Sequence, residues 1–183
     1  MKLYLKSLVM HLKSMLEYKA SFIFAFIAQV VIFFSYYFII LALFSKFDNI
    51  KGFTLYEVLL CFSIIQFGFS VCECFARGID VFEKQIITGN FDRILLRPKN
   101  IILQVLCSEA DFVKLSRIIQ AVIVMIIALM KLNINWNVYK VIALILMNIS
   151  SVLIFFSIFL LAASYCFMTI QGLEIRNVFT DGG

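Results

Sequence analysis

The amino-acid sequence predicts an all-α fold: a polytopic helical membrane protein with an N-terminal interfacial helix and four transmembrane helices. Two observations carry that expectation. Of the 183 residues, 63% are hydrophobic and the mean hydropathy is +1.03. A soluble domain is about 45–50% apolar, so this chain lacks the polar surface to cover a globule in water. The charges are also gathered into short blocks, separated by apolar runs of a length that crosses a bilayer.

Residues 1–19 form the first element. Leu5, Leu8, Val9, Leu12, Met15 and Leu16 follow the i, i+3, i+4, i+7 spacing of one helical face. Lys2, Lys6, His11 and Lys13 lie largely away from that stripe. The pattern describes a basic amphipathic helix lying in the membrane interface. A signal peptide does not fit, because the apolar run that follows is too long and no small-residue cleavage site follows it. His11, the single His, reads as an interfacial surface residue.

Residues 20–44 are free of charge. At about 1.5 Å per residue they make a helix of roughly 37 Å, enough for a hydrocarbon core of ~30 Å with some tilt. Gln29 is their one strong polar group. Residues 54–76 form the second span, with Glu57 near one end and Glu73 near the other. Acids so placed reach the headgroups or pair with a cation; the rival reading gives them a role in substrate or ion handling. Residues 77–111 are a long polar connection. The next apolar run, 118–130, is short, and becomes a span at 112–132 if Lys114 and Arg117 enter the membrane and snorkel. Trp136 and Tyr139 suit an aromatic belt in the loop that follows. Residues 141–167 make the fourth span and 168–183 a short polar tail.

Basic residues orient such a chain, because cytoplasmic flanks carry the excess Lys and Arg. Segments 1–19, 77–117 and 168–183 hold twelve of the 16 Lys and Arg, against Lys46, Lys51, Lys131 and Lys140 in the intervening loops. Both termini are therefore expected in the cytoplasm. The net charge of +5 is absorbed by this asymmetry and by contact with the lipid bilayer, and no nucleic-acid partner is expected.

No catalytic, cofactor or metal constellation emerges. The five cysteines (Cys61, Cys72, Cys74, Cys107, Cys166) show no CxxC spacing, and Cys72 and Cys74 point to different helical faces. There is no GxxxxGK[ST] loop to cradle a phosphate, no HExxH and no Ser/His/Asp set, so the chain is not expected to be an enzyme. Glu109 and Asp111 read as an acidic pair facing the cytosol. Gln66, Gln120 and Asn148 fit hydrogen bonds between helices, or else the lining of a path.

The block at 87–100, ITGNFDRILLRPKN, stands apart. Lipid does not tolerate it, so it lies in water or against a partner. Asn90 is a candidate N-cap, with Asp92 in a first turn that the helix dipole favours. Pro98 disfavours helical geometry at Arg97. The expected element is a short helix over 91–96, with Ile94, Leu95 and Leu96 supplying apolar contact and Arg93 and Arg97 the charge. By spacing alone it is either a solvated connector or a docking element.

TGNFDRILLRP resembles the Gly-x-x-Asp-x-x-Leu-x-x-Pro segment of bacterial ABC transporter permeases of the type-2, exporter-like family. In that family the segment lies near the coupling helix that meets the ATPase. The resemblance places Gly89, Asp92, Leu95 and Pro98 at the motif positions and Arg93 and Arg97 at its basic ones. A second stretch, QGLEIRNVFTDGG, is similar to the family's segment after the fourth span, with Gly172, Leu173, Glu174, Asn177, Gly182 and Gly183 matching. The resemblance covers essentially the whole chain as a single membrane domain, 1–183. It implies an inner (plasma) membrane permease, coupled for export to a separate ABC ATPase subunit. It also implies a second permease subunit, as a homodimer or with a homologous chain. Six spans are expected in a full-length member against four here, so the chain is expected to be an incomplete, C-terminally truncated member. The alternative is a non-transporting membrane interaction or immunity protein that anchors a cytosolic partner by the same loop.

Overall fold

The computed structural model describes residues 2–47, 52–98, 100–132 and 137–166. Every regular element among them is a helix. In chain order these are α1 (Lys2–Glu17), α2 (Lys19–Phe44), α3 (Leu55–Phe75), α4 (Arg77–Asp80), α5 (Phe82–Ile87), α6 (Asn90–Leu95), α7 (Ile101–Leu106), α8 (Leu115–Lys131) and α9 (Val138–Tyr165). A 3-10 turn, Phe112–Lys114, leads into α8. Among the described residues, four helical stretches are long and apolar enough to cross a membrane: Lys19–Phe44, Leu55–Phe75, Phe112–Lys131 and Val138–Tyr165. The fold class is the one the sequence predicts. The third span reaches its length because the 3-10 turn continues directly into α8.

The chain divides into two compact units. One comprises Lys19–Val71 and Val113–Leu153, and so draws on all four spans. Its core is Tyr37, Leu59 and Ala128, with Ile40, Tyr56, Leu60, Phe62 and Val124 packed around them. Tyr37 and Phe62 meet edge to face, ring centroids 5.3 Å apart. Gly68 lies directly against Ser151, and the Ser151 hydroxyl donates to the Ile64 carbonyl at 3.2 Å. A small residue on each of α3 and α9 lets the backbones close up, which is how helices associate where lipid removes the hydrophobic drive.

Two cations of this unit, Arg117 and Lys114, depart from expectation. Arg117 does not snorkel. Its Nε donates to Gln29 Oε1 at 2.7 Å, and its guanidinium lies 4.0 Å from the centroid of the Phe33 ring. Lys114 is buried as well. A side chain that reaches a neighbouring helix gains a charge-assisted hydrogen bond and a cation–π contact, and these outweigh extension toward the headgroups. Glu57, at the other end of α3, forms no salt bridge among the described residues. It accepts from the backbone N–H and hydroxyl of Thr54, at 2.8 and 2.9 Å, and so closes the start of α3 as one half of a capping box.

The other unit comprises Met1–Tyr18, Cys72–Phe112 and Ile154–Gly183. Helix α3 ends where Ala76 leaves helical geometry (φ −110°, ψ 21°). Arg77 spans the break, with Nη1 2.6 Å from Asp80 Oδ2 and 3.8 Å from Glu73 Oε1. Glu73 thus takes the salt-bridge reading, and both acids are buried. The Asp111 N–H donates to the Cys74 carbonyl at 3.3 Å, returning the chain to the end of α3. Helix α1 belongs here too. His11 is not an exposed interfacial residue: its Nε2 lies 3.3 Å from the Cys107 carbonyl, just past α7. Burial pushes the Cys107 thiol above its usual range.

Candidate functional site: a helical knot between the second and third spans

The polar connection folds into four short helices, α4 to α7, tied by side chains. Gln85 of α5 is the central tie. Its Nε2 donates to the Gly78 carbonyl at 3.2 Å and to Ser108 Oγ at 2.5 Å, and the Ser108 hydroxyl in turn donates to the Val105 carbonyl at 2.6 Å. Phe82 of α5 and Phe91 of α6 meet edge to face at 5.0 Å. Asn100 caps α7, its Oδ1 accepting from the N–H groups of Ile102 and Leu103 at 3.0 and 3.4 Å.

The motif residues take different places. Gly89 sits between α5 and α6 with φ +68°, the left-handed geometry that glycine adopts without penalty. It makes the turn and precedes the first residue of α6, so Asn90 is not the cap. The left-handed turn starts the helix one residue early, and Asn90 instead donates from Nδ2 to Thr88 Oγ1 at 2.9 Å. Asp92 lies exposed in the first turn of α6. Leu95 is exposed at the last, and Pro98 follows beyond the helix.

Arg93 and Arg97 come together. Both are exposed, and both line a polar cleft of about 310 Å³ with Gln85, Asn90, Ile94, Ser108 and Glu109. Among the described residues, no ion pair involves Arg93, Arg97 or Glu109. Among the described residues, the buried Gln85 Oε1 has no hydrogen-bond partner. The cleft therefore presents two guanidinium groups and one carboxylate. That set favours an acidic partner group over a basic one, because unpaired guanidinium forks match carboxylates in geometry as well as charge.

Gly89, Asp92, Leu95 and Pro98 do not line the cleft. The second motif, Gly172, Leu173, Glu174, Asn177, Gly182 and Gly183, lies outside the described residues. Sequence reasoning missed Gln85, Ser108 and Gly78. A lone Gln, Ser or Gly in a polar loop carries no signal until the chain brings the three together. The Asn100 cap was readable, as an Asn directly before the apolar run IILQVL.

In the spans, Gln120 donates from Nε2 to the Val30 carbonyl at 3.5 Å, a contact between α8 and α2. Asn148 donates to the Leu144 carbonyl of its own helix at 2.9 Å. Gln66 Nε2 is buried without a hydrogen-bond partner among the described residues. Removing the Gln29 acceptor tests the α2–α8 tie. Gln29→Leu is expected to cost about 1–2 kcal/mol, the upper range for polar contacts between membrane helices. The detergent-solubilised protein should melt a few degrees lower. Arg117→Lys should not substitute, since an ammonium has neither the fork nor the flat face. An unchanged melting curve for Gln29→Leu would make the contact incidental.

The fold defines a multi-pass helical membrane protein with a folded helical segment between its second and third spans. Residues 21–182 match the family described as ABC-2 family transporter protein, and the chain belongs to that family. It is accordingly a membrane-embedded permease subunit of an ABC transporter, of a kind that associates with an ATPase subunit. No curated protein and no solved structure is significantly similar to it.

Proposed function

We propose that this chain couples ATP hydrolysis on a separate ATPase subunit to export, with the α4–α7 knot as the element the ATPase grips. Hydrolysis is assigned to the partner and the permease itself catalyses nothing. The single observation that carries the reading is the pair Arg93 and Arg97, exposed beside Glu109 on one cleft of a tied helical knot. Gln85 and Ser108 stiffen the knot, and Arg77 links it to Glu73 at the end of α3. Force applied at the cleft therefore has a stiff route to a membrane-crossing helix. Gly89, Asp92, Leu95 and Pro98 shape the turn and the short helix that present the two arginines. The same reading places both termini in the cytoplasm of a cell bounded by its inner (plasma) membrane. It also requires a second permease subunit, identical or homologous, to enclose a path.

Arg97→Glu is the test. Breaking a desolvated charge contact at an interface costs about 2 kcal/mol or more, so co-purification of the ATPase should fall by a factor of roughly thirty while membrane insertion stays normal. Lys46→Glu, in the loop on the other side of the membrane, should leave ATPase association intact. Should Lys46→Glu release the ATPase and Arg97→Glu not, the orientation is inverted. If neither does, the knot is a connector, and the reading as an anchoring or immunity protein takes its place.

A further inference from the structure

The knot has a second, chemically opposite face. Between α5, α6 and α7 runs an apolar groove of about 210 Å³, walled by Phe82, Phe91, Ile101, Ile102 and Val105. The far wall is the end of α9, through Leu160 and Ala163. Along α7 the exposed side chains are Ile101, Ile102 and Leu103, at 43, 56 and 43% of full exposure. Among the described residues, no charged side chain lines this groove, whereas the other cleft of the same knot holds Arg93, Arg97 and Glu109.

We propose that the groove and the exposed edge of α7 are seated in the bilayer, where they take a lipid acyl chain from the leaflet on the knot's side. Three observations select lipid over a protein partner. The first is the place of the far wall in α9. From Lys140, which marks the start of that span, about twenty residues cross a hydrocarbon core of ~30 Å, so Leu160 falls at its far edge. Tyr165 then follows at the depth where aromatic side chains collect. The second is α1. Its basic, amphipathic pattern is that of a helix lying in the interface, and it meets the α7 segment through His11 and the Cys107 carbonyl. That contact holds α7 at interfacial depth. The third is the sorting itself. A face meant for a soluble ATPase would mix charge with its apolar groups, as the Arg93 cleft does and this groove does not. The inference rests on the multi-pass location of the chain and is independent of ATPase docking.

Trp fluorescence in vesicles tests it on the full-length protein. Trp136 is the only Trp, so Trp136→Phe gives a silent background for a reporter, Ile102→Trp. In phosphatidylcholine vesicles its emission should be blue-shifted and quenched several-fold when the upper acyl chains carry bromine. Arg97→Trp, in the polar cleft, should emit as in water and ignore the bromine. Ile101→Trp gives the same reading if Ile102→Trp does not reconstitute. Quenching of neither reporter, or equal quenching of both, overturns the proposal. Blue-shifted emission at Ile102→Trp without quenching also overturns it, because the groove is then covered by protein.

Discussion

Gly78→Ala is expected to lower the unfolding midpoint of the solubilised protein by roughly 5–10 °C, at about 2–4 °C per kcal/mol for a chain of this size, and to release the ATPase with it. A methyl group at Gly78 would fall far inside the van der Waals shell of the Val105 carbonyl oxygen, 2.6 Å from Ser108 Oγ and 3.0 Å from the Val105 carbonyl carbon. Two of those three atoms are backbone, so no side-chain rotation relieves the clash. Overpacking of this kind costs about 1–3 kcal/mol and occasionally more. The strain also falls on the tie that stiffens the knot, since the Gly78 carbonyl accepts from Gln85. Gly89→Ala is the informative comparison. A Cβ there meets nothing within 4 Å, and the only penalty is the left-handed backbone, about 1 kcal/mol. Differential scanning fluorimetry with ATPase pull-down separates the two. Equal, small effects at both positions would mean that α4 and α7 are not packed as described.

Gly68→Leu is expected to disrupt the four-span unit as severely. Even Gly68→Ala would place its methyl 2.7 Å from Ser151 Cβ and 2.8 Å from the Ser151 carbonyl carbon, forcing α3 and α9 apart. The contact predicts a specific, partial rescue: Gly68→Ala combined with Ser151→Gly removes the clash with Ser151 Cβ but not that with its backbone carbon, and should recover part of the stability that Gly68→Ala loses. Residues in direct contact show interaction energies of about 0.5–3 kcal/mol in double-mutant cycles, while distant sites add. Thermal melts of the two single variants and the double variant close the cycle. Strict additivity would remove the close approach of α3 and α9.

The residues most visible in the sequence were those defined by periodicity or by charge. The amphipathic stripe of α1, the Pro98 stop and the pair Arg93 and Arg97 are local patterns, read within a turn or two of helix. Contacts made by single polar residues were not visible. Arg117 looked like a snorkelling cation because its partners, Gln29 and Phe33, lie some 90 positions earlier on another helix. His11 looked like a surface residue because Cys107 is just as remote in sequence. The Asn90 cap misread a local rule, since Thr88, Gly89 and Asn90 all favour helix boundaries and only the backbone geometry decides which of them makes the turn.

By itself, the sequence determined that this is an all-α membrane protein with four apolar helices long enough to cross a bilayer, and which loop carries the charge. The bilayer imposes those outcomes through composition and run length, because every backbone polar group in lipid must be satisfied within its own helix. Only the tertiary structure decided which small residues meet (Gly68 with Ser151, Gly78 with Val105), and that the loop is a tied knot with a charged cleft on one face and an apolar groove on another. Those features depend on close approach between residues far apart in the chain. Packing geometry sets such approach, and packing has no period that a linear sequence displays.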